Sequence, residues 1–195
     1  MKLKIGVDKA QQAGKHDLKH NQLVAMGHEL IDIPVPVGDY IEITEQLQEV
    51  IDRRGTKLKK MDLIGLINIS VDTKRDIEEI YQCLMQGHKR FSDSCFLAQN
   101  NGIRLIILIE NKNGVTCVEE LGKWKNDNGW KRYFANKKRA ERMGTKIPKP
   151  PATPSQLKQI MWTMNKKYGT EFLFCRLDES AGKIIELLTG GKAIE

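Results

Sequence analysis

The segment GIRLIILIE at 102–110 constrains this chain more than any other. Leu105 through Ile109 are apolar without a break, so the strand they form shows neither face to water. The run is far too short to cross a bilayer. It therefore belongs in the middle of a sheet that other elements cover on both sides. The flanking sequence supplies those elements. LKIGVD (3–8) alternates with a period of two, and residues 17–27 form an amphipathic helical pattern that stops at Gly27. HELIDIPVPV (28–37) reads as a strand whose Pro34 and Pro36 mark it as an edge or mark its end. GDYIEI (38–43) starts a further strand after a Gly-Asp turn. A helix is expected over 45–55, followed by a charged connector, TKLKKMD, at 56–62. LIGLINISVD (63–72) has the character of a buried strand, and helices follow at 76–85 and 92–100.

Beyond the central run, VEELGKWK begins a helix that continues into a basic stretch, and IPKPPATPS (147–155) is a proline-rich connection. A helix to about Lys167, the strand EFLFC (171–175) and the helix AGKIIELL (181–188) complete the pattern. Strands alternating with helices predict an α/β fold with a mixed central sheet. At 195 residues the chain suits a single domain, here taken as 1–195 with a basic insertion or arm at about 112–153.

Hydrophobic residues at 40% and charged residues at 29% exclude a disordered or fibrous chain. MKLKIGVDK has no signal-peptide core. Cys83, Cys95, Cys117 and Cys175 lie far apart without a CxxC pair, against a disulfide framework or a zinc site and in favour of a reducing cytoplasm. The net charge of +7 is concentrated: residues 112–150 hold eleven Lys/Arg against four Asp/Glu, and the remainder is balanced. A localised basic segment is the footprint of a polyanion binder. Lys125, Lys131, Arg132, Lys137, Lys138 and Arg139 are its candidate phosphate contacts, interleaved with Trp124, Trp130, Tyr133 and Phe134. Those aromatics either stack on unpaired bases or pack inward. Trp162 and Met164 read as core. His16 and His20, one helical turn apart without a third ligand, read as solvated helix residues.

The chemistry-bearing pattern lies at VDTK (71–74). Asp72 and Lys74 are two apart in a strand and so share a face. Asp39 begins another strand and meets Asp72 if the two strands pair. Two carboxylates and a lysine at a sheet end can hold a divalent cation whose oxygen shell water and phosphate complete. The same spacing also fits a strand that simply finishes on polar residues.

GDY (38–40), VDTK (71–74), and RFSDSC (90–95) followed by IRLIILIE (103–110) resemble the XPF family of structure-specific endonucleases. That family belongs to the PD-(D/E)xK, restriction-endonuclease-like group. The resemblance covers roughly 3–189 and is carried most strongly by 71–110. It implies a restriction-endonuclease-like mixed sheet flanked by helices. It also implies an Mg²⁺-dependent DNA endonuclease, Mn²⁺ substituting, acting in recombination, repair or DNA processing in a bacterial or phage setting. Asp39 and Asp72 match the metal-binding acids, helped by the Thr73 carbonyl; Lys74 matches the lysine and Glu78 the acid on the following helix. Arg90 stands where the family's helix arginine belongs, with Asp8 and Glu110 as supporting acids. Thr73 replaces the family's usual arginine, and VDKAQQ (7–12) keeps only Asp8 of an acidic stretch. The implied partner is DNA, branched or flap-structured, with a homodimer left open and no membrane. A catalytically silent DNA-binding module of this fold and an RNA-processing nuclease are the alternatives.

Overall fold

The structure is a computed structural model that describes residues 2–11 and 14–190. One six-stranded sheet organises it, built from β1 (Lys4–Asp8), β2 (Glu29–Ile33), β3 (Tyr40–Glu42), β4 (Ile69–Lys74), β5 (Arg104–Glu110) and β6 (Glu171–Cys175). The strand order is β2-β1-β3-β4-β5-β6. The β1–β2, β4–β5 and β5–β6 pairs are parallel, whereas β3 runs antiparallel to both β1 and β4. β2 is an edge and ends at Ile33, just before Pro34, and the unbroken apolar β5 lies inside the sheet between β4 and β6.

The alternation of β5 explains its composition. Ile107 and Ile109 join one apolar layer with Ile77, Ile80, Phe91, Cys95, Leu157 and Met161. Ile106 and Leu108 join the other with Leu23, Ile184 and Ile185. The first layer is covered by α3 (Ile77–Met85), α4 (His88–Asn100) and α6 (Pro154–Tyr168), together with α2 (Glu45–Arg54) through Leu47. The second is covered by α1 (Asp17–Ala25) and α7 (Ser180–Leu188). All four cysteines are free thiols. No helix among the described residues is long and apolar enough to cross a membrane.

Several elements differ from the sequence expectation for local reasons. β4 starts at Ile69 rather than 63 because a 3₁₀ turn at Lys60–Leu63 and a left-handed Gly65 (φ +85°) occupy that segment. Leu63 and Ile67 still point into the core. α4 begins at His88, directly after Gly87, and so takes in Arg90. The helix expected to run from Val118 through the basic stretch is broken. A 3₁₀ turn covers Val118–Lys123, and α5 (Asp127–Met143) starts afresh where the Asn126 side chain accepts the Gly129 amide at 3.1 Å. Trp124 ends buried against Tyr81, their rings 5.8 Å apart. Trp162, expected in the core, is instead 47% exposed under the Lys158 ammonium, while Met164 is buried. The histidines of α1 are half-buried rather than solvated: His20 Nε2 lies 3.1 Å from the Tyr40 hydroxyl, and His16 stacks on His20. Burial lowers the pKa of both, which keeps them neutral.

The turn into β3 has a strict requirement. Gly38 sits at φ +78°, and a Cβ there would lie 2.2 Å from Ser70 Oγ and 3.3 Å from the Val71 carbonyl oxygen. Ser70 cannot easily yield, since its hydroxyl donates to the Val37 carbonyl at 2.6 Å inside the core. Gly38→Ala is therefore expected to destabilise the protein by about 2 kcal/mol or more, combining left-handed strain with a steric clash. Urea denaturation checks this; an unchanged midpoint would remove the constraint.

Candidate active site

The strand register gathers the acids at one end of the sheet. Val7 pairs with Tyr40, and Tyr40 with Val71. One residue further along, Asp8, Asp39 and Asp72 therefore stand side by side on three neighbouring strands. The backbone fixes this row: the Asp8 amide donates to the Asp39 carbonyl and the Asp39 amide to the Val71 carbonyl, both at 2.9 Å. One Asp39 carboxylate oxygen, Oδ2, accepts from the Thr73 amide and the Thr73 hydroxyl, each at 2.8 Å. Asp72 Oδ1 accepts from Lys74 Nζ, the partner its two-residue spacing demands.

A cleft of about 520 Å³ opens over this row. Asp8, Asp39, Asp72 and Lys74 line one side, and Glu79, Gln82, Cys83 and Arg90 of α3 and α4 line the other. Electrostatics inside it are tense. Burial pushes the Asp72 carboxyl up, to about 6, with Asp39 adding to the rise against the pull of Lys74. Burial also works against the Lys74 ammonium, but Asp72 and Asp39 outweigh it and hold its pKa above the ordinary value. Burial raises the Cys83 thiol, so it offers no thiolate nucleophile.

The donor set fits a hard divalent cation. Asp8 Oδ1 is buried with no hydrogen-bond partner, and the carboxylates of Asp39 and Asp72 share its side of the cleft. Among the described residues no three His, Cys, Asp or Glu side chains form a closed metal cage. Two carboxylates are what Mg²⁺ takes from a protein when water and phosphate complete its shell.

Other residues singled out in the sequence lie elsewhere. Glu78 is not part of the cleft lining. It accepts from Asn128 Nδ2 at 2.8 Å and from Arg132 of α5, and these contacts hold its pKa down. Its neighbour Glu79 is the acid that faces the cleft, and it also closes the N-terminus of α3. The Glu79 amide donates to Asp76 at 2.7 Å while its carboxylate accepts from the Arg75 amide at 2.9 Å. Glu110 falls on the opposite sheet face, because Ile109 and not Glu110 is level with Lys74. There it forms a buried ion pair with Lys19 and accepts from Ser180 Oγ at 2.7 Å. Arg90 lines the cleft and makes no ion pair among the described residues. Lys125, Lys131, Lys137, Lys138 and Arg139 lie outside the cleft lining, and Arg132 is committed to Glu78. Lys60, which reaches Asp8 at 3.7 Å from the charged connector, was not singled out. Only its density of lysines hinted at a role.

No family model matches the sequence, and no curated protein is similar to it in sequence. In structure the chain is similar to XPF from Aeropyrum pernix, with a TM-score of 0.53 and 14% identity. The match covers 98% of this chain and 65% of that one, so this chain spans a little under two thirds of its neighbour's length. At that identity the likeness is one of fold: a mixed sheet flanked by helices in the restriction-endonuclease-like arrangement.

The Lys19–Glu110 pair gives a test of how the second face is held. Both side chains are under a tenth exposed, so Glu110→Gln alone leaves a buried ammonium uncompensated. A loss of about 3–5 kcal/mol is expected, and Lys19→Met with Glu110→Leu should recover most of it. Urea denaturation of the single and double variants decides; equal losses would mean that the charges are not coupled.

Proposed function

We propose that this protein is a Mg²⁺-dependent endonuclease that hydrolyses phosphodiester bonds in DNA, branched or flap-structured DNA in particular. The observation that carries the reading is the acid row at the sheet end with Lys74 seated on Asp72. In this reading Asp39 and Asp72 hold the metal, helped by the Thr73 carbonyl, and Mn²⁺ can substitute. When bound, the metal supplies Lewis-acid stabilisation of the charge that develops on the scissile phosphate.

The protein's own groups do the rest. Thr73 orients Asp39 by two hydrogen bonds, leaving the other carboxylate oxygen for the cation. Lys74, kept protonated by its acidic neighbours, donates to the attacking water or to a phosphate oxygen and so positions the reaction. Arg90, across the cleft and without an acidic partner among the described residues, contacts a phosphate. Asp8 supports the row from β1, tethered to Lys60. The likeness of fold to an XPF protein is consistent with this assignment, and the localised positive charge suits a DNA partner.

The test uses labelled duplex, flap, fork and four-way DNA with Mg²⁺, Mn²⁺ or EDTA. Cleavage is expected with either metal and none with EDTA. Asp39→Asn and Asp72→Asn should each lower the cleavage rate by about 10²–10³-fold or more while DNA binding is retained, since the fold keeps its shape but loses a charge that holds the ion. Lys74→Met should lose activity comparably yet still bind Mg²⁺ by calorimetry. A variant of Asp72 that cuts at the wild-type rate sinks the site; binding without cleavage of any substrate would favour a silent DNA-binding module.

A further inference from the structure

α5 contributes almost nothing to the core. Its 17 residues extend about 25 Å, yet the only buried positions are Gly129 and Ala140. Two such small residues cannot account for a helix of this length. It is fastened instead near its N-terminal end, where Asn128 and Arg132 both bond Glu78 of α3.

Trp130, Tyr133 and Phe134 fall at i, i+3 and i+4 and share one side of the helix. They pack on one another, with Trp130 stacked on Phe134 at 5.7 Å and Tyr133 edge-on to each at 5.7 and 5.3 Å. Tyr133 is partly buried, whereas Trp130 is 37% and Phe134 58% exposed. An aromatic cluster that leaves this much ring surface in water, off the core, marks a binding surface. Charge identifies what it binds. The helix carries Lys131, Arg132, Lys137, Lys138, Arg139 and Arg142 against only Asp127 and Glu141. Glu141 lies 3.9 Å from Lys137, and Glu78 takes Arg132. Lys131, Lys138, Arg139 and Arg142 form no ion pair among the described residues. A second copy docked on this face would bring two positive helices together. A polyanion that also offers flat aromatic faces satisfies both features.

We propose that α5 is a stacking platform for the unpaired bases of a single-stranded DNA segment, the cations along one side of its aromatic stripe holding the phosphates. Duplex DNA cannot use the platform, because its base faces are already stacked. Base–aromatic stacking tolerates any sequence, so the platform reads strandedness and not base identity. The choice of DNA rests on the nuclease reading above. Glu78, which anchors the helix, adjoins Glu79 in the cleft wall. The N-terminal end of α5 is thus tied to the helix that forms the cleft wall across from the acid row, and its aromatic side faces away from that anchor.

The test measures binding by anisotropy in EDTA, so that its outcome does not depend on metal-driven cutting. The probes are a labelled oligo(dT), an abasic strand of equal length, a duplex, and an RNA strand. Oligo(dT) is expected to bind at least about 10-fold tighter than the abasic strand. Trp130→Ala and Phe134→Ala should each weaken oligo(dT) binding by about 10-fold and leave the abasic strand unchanged. Lys138→Gln should reduce the salt slope by about 0.7 for both strands. Circular dichroism at wild-type intensity verifies that α5 still forms in each variant. Equal affinity for oligo(dT) and the abasic strand, or aromatic variants that bind oligo(dT) as the wild type does, would overturn the platform. Tighter binding of RNA would overturn its assignment to DNA. A dimer in sedimentation that Phe134→Ala dissolves, with DNA affinity unchanged, would assign the face to a second copy. Metal-dependent cleavage of duplex DNA can persist in every one of these failures, so the two readings fall separately.

Discussion

The pairing of β3 with β4 at Tyr40 and Val71 is the constraint on which the cleft depends. β3 is three residues long, so almost nothing but this register holds Asp39 against Asp72. A slip by one residue would send Tyr40 out of the core and turn the acids to opposite faces. Two devices prevent it. Gly38 brings the chain into β3 through a conformation that leaves no room for a side chain. Thr73 then clasps the Asp39 carboxylate with both its amide and its hydroxyl. The second clasp gives a reason for a threonine between the acid and the lysine, since its short side chain bonds the same carboxylate oxygen as its own amide.

The two faces of the sheet handle charge in opposite ways. On the cleft side, Asp72 and Lys74 are paired but open enough to meet a ligand, and Asp72 carries a raised pKa that a cation would relieve. On the other side, Lys19 and Glu110 are sealed under α1 and α7 and satisfied by Ser180. Parity along β5 separates the two arrangements. Residues one apart look to opposite faces, so an acid at the right height on the sheet is still on the wrong side of it.

Much of this was legible in the sequence, and the remainder was hidden for identifiable reasons. The unbroken run at 105–109 announced an interior strand, and Pro34 and Pro36 marked the end of a strand that proves to be an edge. The meeting of Asp39 with Asp72 followed from strand-end spacing once the two strands paired. Spacing could not say which acid of the EE pair on α3 faces the cleft. Adjacent helical residues differ by about 100° in direction, and the capping contacts of Asp76 turn Glu79, not Glu78, toward it. Nor could composition reveal that Lys19 is buried, because the acid that makes this tolerable lies 91 residues away. Trp162 was misplaced because a tryptophan within an apolar stretch looks like core, whereas a lysine one turn earlier in the helix shelters it at the surface.

The sheet also has two open sides, and they differ in how exposed they leave the chain to uncontrolled strand addition. A long flat edge is a template on which a second molecule can extend the ladder. β2 limits that hazard by being five residues long, by bearing Glu29 and Asp32, and by running directly into Pro34, which has no amide hydrogen to donate. β6 is equally short and opens on Glu171, which is clamped back to Arg104 of β5. Folded copies of this protein thus find little at either margin on which to extend the ladder.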